Sequence, residues 1–307
     1  MLDRPLRAAI LAAADNSLVR RAVSRYGFSL GAKRFVAGET ADEFLTVAAS
    51  LNNQGFAVAC GILGEGVMEP AQARAAADEY CTLLRRFYQG GIDANVAFKL
   101  THVGLDIDRE TAFEHAARIA QTARQFQNTM RLDMEQSRYV DPTLAIYRRL
   151  RERFQNVGFV LQSCLLRSEG DLRELLHASP NVRLVKGAYL EPHTIAYQDK
   201  RDVDANYVRL VEIAFSADGY TAVATHDPRI IERAINLAER AGFAKTGRFE
   251  FQMLYGIAGG LASELLAAGY RVRLAVPYGR YWFPYLMRRL AERPANLAFL
   301  LKGLWRR

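Results

Sequence analysis

The sequence predicts an α/β fold, a (β/α)8 TIM-like barrel with extra N-terminal helices. Three observations carry this. Eight short β-type runs alternate with helical stretches, which implies a parallel sheet. The runs recur about every thirty residues, the length one βα unit needs, and eight units are the number that closes a barrel. The rival, an open doubly wound sheet, usually carries a Gly-rich dinucleotide turn, and neither G-x-G-x-x-G nor a P-loop occurs.

The β-type runs are 57–63, 94–100, 130–134, 158–163, 182–188, 220–225, 248–254 and 271–277. Each is short, and all but 130–134 are rich in Val, Leu, Phe or Ala, as buried parallel strands are. Helical segments are predicted at 70–89, 109–127, 141–155, 169–178, 202–216, 228–241, 257–268 and 284–303. Residues 1–56 are then helical decoration and 57–307 the barrel. Pro, Gly and Ser are nowhere concentrated, so no linker is expected. Arg4 and Arg7 precede the alanine-rich stretch 8–14. An amphipathic leading helix is the preferred reading over a cleaved signal, because the basic pattern continues through Arg25.

The 307 residues are 50% hydrophobic and 24% charged, a globular balance that argues against long disorder. The net charge of +8 is spread along the chain; it favours anionic ligands or membrane headgroups and does not indicate nucleic acid. Cys60, Cys81 and Cys164 show no C-x-x-C spacing, which argues against a disulfide scaffold and for a reducing compartment. No run of eighteen apolar residues exists.

In a barrel, chemistry gathers at the C-terminal strand ends. Read in turn, those ends present Glu65, Lys99 with Thr101, Asp133 with Glu135, Gln162, Arg183 with Lys186, Thr225 with His226 and Asp227, and Gln252 with Tyr255. A charge in a buried strand is costly unless paired or liganded. Strand alternation places Arg183 and Lys186 on opposite faces unless the strand ends between them, so a pair of edge charges and a cofactor contact both stay open. Gly187 and Ala188 give a tight exit where a cofactor could approach the backbone. His226 precedes Asp227-Pro228, a helix-opening pair; Thr225-His226 is read either as a capping turn or as lying near a pyrophosphate. After the eighth run, Tyr285, Arg288, Arg289 and Glu292 share one helix face. Two arginines there can hold a carboxylate bidentately, with Glu292 offsetting their charge; a solvated Arg–Glu face is the alternative. The histidines lack metal-ligand spacing, so no metal is expected. No G-x-S-x-G elbow is present, so nucleophilic serine or cysteine catalysis is unsupported.

Many strings resemble the proline dehydrogenases, in particular the small monofunctional bacterial type. They are FVAGET (35–40), LGE (63–65), KLT and GLD between Lys99 and Asp106, RLDMEQS (131–137), VLQS (160–163), RLVKGAY (183–189), ATHDPRII (224–231), FEFQMLYG (249–256), VPYG (276–279) and WFPYLMRRLAERPAN (282–296). They run in order along nearly the whole chain. The resemblance implies a distorted barrel holding non-covalent FAD. It implies oxidation of L-proline to Δ1-pyrroline-5-carboxylate, with hydride passing from the ring C5 to flavin N5 and the electrons then to a membrane quinone. It implies that Arg288 and Arg289 bind the substrate carboxylate, assisted by Lys99, with Glu292 as their partner and Glu65 as a gate residue pairing with Arg288. Tyr285 and Leu254 would wall the substrate pocket. Asp133, Met134, Val160, Gln162, Arg183, Val185, Lys186, Gly187, Ala188, Tyr189, Thr225 and His226 would contact or support FAD, with Arg183 and Gln162 near N5.

Two positions depart from the family pattern. Ala275 stands where a Tyr usually precedes VPYG, and Gly61 where an Asp usually stands four residues before the gate Glu. Both enlarge the pocket, so hydroxyproline or a bulkier cyclic or N-alkyl amino acid is the alternative substrate. Readings of another class are a Schiff-base lyase using Lys99 or Lys186, and a non-catalytic anion-binding barrel. The expected location is cytoplasmic. The basic, amphipathic 297–307 segment is read as a closing helix, with peripheral membrane contact, at the inner face where the quinone resides, as the alternative.

Overall fold

The computed structural model describes residues 32–178, 180–242, 247–257 and 259–292; within these, the side chains of Arg288 and Glu292 lie outside the described set. The stretches 1–31 and 293–307, which carry the expected leading helix and most of the closing one, also lie outside it.

Eight parallel strands close into a barrel in sequence order. They are β1 Ala57–Ile62, β2 Ala94–Phe98, β3 Met130–Leu132, β4 Val157–Gln162, β5 Asn181–Val185, β6 Tyr220–Ala224, β7 Phe249–Leu254 and β8 Val272–Tyr278. The helices are α1 Ala41–Asn53, α2 Pro70–Gly90, α3 Arg109–Gln125, α4 Val140–Arg151, α5 Ser168–Leu175, α6 Lys200–Phe215, α7 Pro228–Arg240, α8 Gly259–Ala267 and α9 Trp282–Glu292. Thr40 closes a capping box with Glu43 at the start of α1, and that helix packs Phe44 on Tyr278 of β8 at 5.2 Å between ring centroids. Pro70 opens α2, and Gly91, at φ 60°, ends it in the left-handed region.

Among the described residues the predicted elements stand, with shifts at their ends. Several strands stop earlier than the apolar runs suggest: β2 ends at Phe98, and Leu100–His102 form a 3-10 turn. Lys99, Asp133 and Lys186 therefore lie just past their strands, where side chains turn into the barrel mouth.

Alternation explains the core. Phe249, Phe251 and Met253 of β7, and Val272, Leu274 and Val276 of β8, are buried in the shell between strands and helices. The opposite faces of the strands line the barrel interior, and here that interior is polar at depth. Arg131, Arg183, Glu250, Gln252 and Arg273 are all buried. Barrel interiors are usually filled by branched aliphatic side chains. This one is filled instead by paired charges below and small residues above, and it stays open at the top.

Candidate active site

A cavity of about 2360 Å³ occupies the C-terminal mouth of the barrel. That exceeds the roughly 300–1,000 Å³ of ordinary small-molecule sites. The strand ends bring Glu65, Lys99, Asp133, Met134, Val160, Gln162, Arg183, Val185, Lys186, Gly187, Ala188, Tyr189, Thr225, His226, Leu254, Ala275, Tyr285 and Arg289 onto its wall. Arg288 and Glu292 lie on α9 with Arg289, their side chains outside the described set.

β5 ends at Val185, between the two residues whose shared face was open, so Arg183 and Lys186 both face the cavity. Arg183 donates through Nη1 to Gln252 Oε1 at 3.2 Å and through Nη2 to Asp133 Oδ1. Its buried Nε–H has no protein partner. Lys186 is held between Asp204 at 2.6 Å and Asp227 at 2.9 Å, and Lys200 pairs with the same two carboxylates. Those lysines hold the Asp204 and Asp227 carboxyls below the usual range, against the opposing effect of burial. Arg201, Arg229 and Arg233 add to a basic rim above β5 and β6.

Gly187 has a reason the sequence did not show. It sits at φ 104°, and a Cβ there would overlap Cys164 Sγ and approach Gln162 Oε1 at 3.3 Å. The glycine is required by packing as well as by the tight exit. The Asp227-Pro228 turn caps α7: Asp227 accepts from the Arg229 N–H at 3.2 Å, and Thr225 Oγ1 accepts from the Asp227 N–H at 3.1 Å. His226 Nε2 accepts from the Leu254 N–H at 2.9 Å, so it ties the β6 and β7 ends together. Gln162 donates to the Glu135 carbonyl at 2.9 Å.

Across the mouth, above β8, β1 and β2, the wall is small. Ala275 lies beside Ala59, and Gly61 and Ala97 continue the surface. A Cβ on Gly61 would meet only the Ala97 carbonyl, at 3.9 Å. Glu65 ion-pairs with Lys99 at this wall. Arg289 lies over the Tyr285 ring at 5.2 Å.

A family model described as proline dehydrogenase matches residues 44–302. The chain belongs to the proline dehydrogenase family. Among curated relatives, proline dehydrogenase of Deinococcus radiodurans is 42% identical over 309 residues, covering 99% of this chain and 99% of the relative. Proline dehydrogenase 1 of Bacillus subtilis strain 168 is 38% identical over 299 residues, covering 97% and 99%. Among solved structures, proline utilization A from Bdellovibrio bacteriovorus, inactivated by N-propargylglycine, matches with a TM-score of 0.82 and 25% identity. That match covers 90% of this chain and 34% of the other, so this chain spans about a third of that longer protein.

Two parts of this proline dehydrogenase site escaped the sequence reading. One is the ion-pair layer of Glu250, Arg271 and Arg273 beneath Gln252, discussed below. The signal was present: R-F-E-F-Q in β7 and R-V-R at the start of β8 put polar residues at every second position. The other is His102, which lines the cavity, is buried, and lies 3.2 Å from the Tyr80 hydroxyl through Nδ1. Burial, and then the Lys99 charge, push its pKa down to about 4. Nothing in KLTH marked it, because its partner comes from another element.

Proposed function

We propose that this chain oxidises L-proline to Δ1-pyrroline-5-carboxylate, using non-covalently bound FAD and passing electrons to a quinone. Family membership supports the reaction. The observation that carries the cofactor assignment is Arg183: a buried guanidinium on the cavity wall, with both Nη atoms engaged and its Nε–H unspent. An unpartnered buried donor is costly, and a ligand acceptor such as a flavin ring nitrogen would satisfy it. The cavity volume suits an extended dinucleotide, and the basic rim around Lys186, Lys200 and Arg229 suits its pyrophosphate.

Asp133, Met134, Val160, Gln162, Arg183, Val185, Lys186, Gly187, Ala188, Tyr189, Thr225 and His226 would hold FAD, which would accept two electrons as hydride from the substrate ring. Arg289, with Arg288, binds the substrate carboxylate, while Tyr285 and Leu254 confine the ring. The C5–H bond breaks with its electron pair, C5=N forms, and the amine proton leaves to solvent. Lys99 adds positive charge near the carboxylate, and Glu65 holds it by the ion pair already formed.

The small wall favours a second reading of the substrate. Ala275 and Gly61 leave room beside a proline-sized ring, which would admit hydroxyproline or a larger cyclic or N-alkyl amino acid. Turnover rates across that series separate the two. The Schiff-base reading loses support: Lys186 lies between two carboxylates and Lys99 is paired with Glu65, unlike the desolvated pocket such a lysine needs. No helix among the described residues is long and apolar enough to cross a membrane. A cytoplasmic location with peripheral membrane contact remains part of the proposal, since the quinone is reached at the bilayer surface.

The test is the visible spectrum of the purified protein before and after anaerobic addition of L-proline. A flavin band that bleaches on addition supports the proposal. A protein that takes up no flavin, or whose flavin no cyclic amino acid reduces, overturns it.

A further inference from the structure

Below the cavity floor, a chain of hydrogen bonds runs from Arg183 down the barrel axis. Arg183 Nη1 donates to Gln252 Oε1 at 3.2 Å, and Gln252 Nε2 donates to Glu250 Oε1 at 2.5 Å. Glu250 is 1% exposed and Gln252 3%. Glu250 accepts also from Arg273 Nε at 2.8 Å and from Arg271 Nε at 3.2 Å. Arg273 is pinned in turn by the Val58 carbonyl at 2.9 Å, and Arg271 by Asp93 at 2.9 Å.

The chemistry of these groups fixes the direction of the chain. An ionised carboxylate only accepts and a guanidinium only donates. A primary amide between them can satisfy both in one orientation alone: nitrogen toward Glu250, oxygen toward Arg183. Glu250 therefore sets the Gln252 amide, and the amide sets Arg183 Nη1. With Nη2 held by Asp133, the guanidinium plane is fixed at two corners. Of the guanidinium's other donors, the Nε–H is buried with no protein partner. A guanidinium fixed in this way presents that donor without reorganising.

We propose that Glu250 is a positioning residue which acts through Gln252 to aim the Arg183 Nε–H at the electron-accepting edge of the bound flavin. This rests on the FAD reading above. Glu250 lies on the same inward face of β7 as Gln252, two residues deeper, and Gln252 separates it from Arg183. Its effect on the cofactor is therefore indirect. If Glu250 becomes an amide, one carbonyl oxygen faces four donors, from Arg271, Arg273, Tyr220 and Gln252. Gln252 is then released to turn its nitrogen toward Arg183, which breaks the Nη1 bond.

The test is a double-mutant cycle on the flavin-loaded full chain with Gln252→Leu and Glu250→Gln, read as the reduction equilibrium of the bound flavin and as a kcat against KM split. Gln252→Leu changes no charge. It is expected to shift the reduction equilibrium at least tenfold toward the oxidised form, about 30 mV for a two-electron couple. It should lower kcat and leave KM for the amino acid within about twofold. Glu250→Gln is expected to shift it in the same direction, and the double variant should be no worse than Gln252→Leu alone, because residues acting in one chain are non-additive. If Glu250→Gln leaves the equilibrium unchanged, or its effect adds in full to that of Gln252→Leu, Glu250 serves only to pack the barrel and the proposal fails. A rise toward the reduced form, expected from loss of a nearby negative charge alone, also overturns it. If Glu250→Gln does not fold with Arg273 left uncompensated, the pair Glu250→Gln with Arg273→Met removes the ion pair whole, and the same readout applies. A wild-type chain that takes up no flavin refutes the cofactor reading and is distinct from these outcomes.

Discussion

Substituting Gly187 by Ala should damage both the stability of the barrel and its hold on the cofactor, and the structure separates two contributions. Gly187 sits at φ 104°, where a residue with a Cβ is strained by about 1–3 kcal/mol. The new methyl would also overlap Cys164 Sγ, and overpacking of this kind costs about 1–3 kcal/mol. The expected destabilisation of Gly187→Ala is therefore roughly 2–6 kcal/mol. Cys164 also donates its N–H to the Lys186 carbonyl at 2.9 Å, so displacing the sulfur disturbs the segment that carries Lys186, Ala188 and Tyr189 into the cavity. Urea unfolding monitored by far-UV circular dichroism measures the stability, and flavin content after gel filtration measures the cofactor. Adding Cys164→Ala should restore the overpacking share and leave the backbone share. The reasoning fails if Gly187→Ala unfolds within about 0.5 kcal/mol of wild type, the range of inconsequential substitutions. It fails equally if Cys164→Ala restores full stability, since the dihedral would then carry nothing.

Three other outcomes follow from the same geometry. His102, with a pKa of about 4 when folded against 6.5 as the reference value, binds its proton more readily in the unfolded chain. Its contribution is complete above pH 6.5 and declines as pH falls toward 4, by about 3 kcal/mol at one pH unit per 1.36 kcal/mol. His102→Gln should flatten unfolding free energy against pH in that window, and an unchanged slope refutes the assignment. Arg289→Met should lower kcat/KM for proline roughly tenfold to a hundredfold, the loss of one charged hydrogen bond, with flavin content intact; steady-state kinetics beside flavin absorbance decide it, and unchanged kinetics exclude the carboxylate role. Ala275→Tyr should fill the small wall, lowering KM for proline about tenfold, as an added aromatic contact gives, while raising it for larger cyclic amino acids; parallel shifts for both substrates would show that this wall does not face the ring.

The fold was legible because its signals are local and repeated. Each apolar run marks a strand, each capping pair such as Asp227-Pro228 marks a helix start, and eight repeats determine closure. The ends were less legible for a physical reason. The β-type run continues past the end of the strand, as at Lys99 and Leu100 after Phe98, where the chain turns into the 3-10 helix Leu100–His102. Composition cannot report where pairing stops, because the neighbouring strand decides that. The same limit left Arg183 and Lys186 unresolved from spacing alone, although both were correctly marked as strand-end charges.

What the sequence hid is the part of the site that depends on partners brought from elsewhere. Arg183 was visible as a candidate, but its environment was not. Asp133 comes from the end of β3 and Gln252 from β7, separated from Arg183 by 50 and 69 residues. A strand with apolar residues facing outward and charges facing inward inverts the usual reading, in which the buried face is the apolar one. In a barrel both faces are buried, and the polar face is tolerated only if every group finds a partner. Glu250 meets that condition through Arg271, Arg273 and Gln252, whereas above it the buried Arg183 Nε–H has no protein partner. Pairing is thus satisfied around Glu250 below and unsatisfied at Arg183 beside the cavity, an imbalance that the proposed flavin would remove by accepting from the Nε–H.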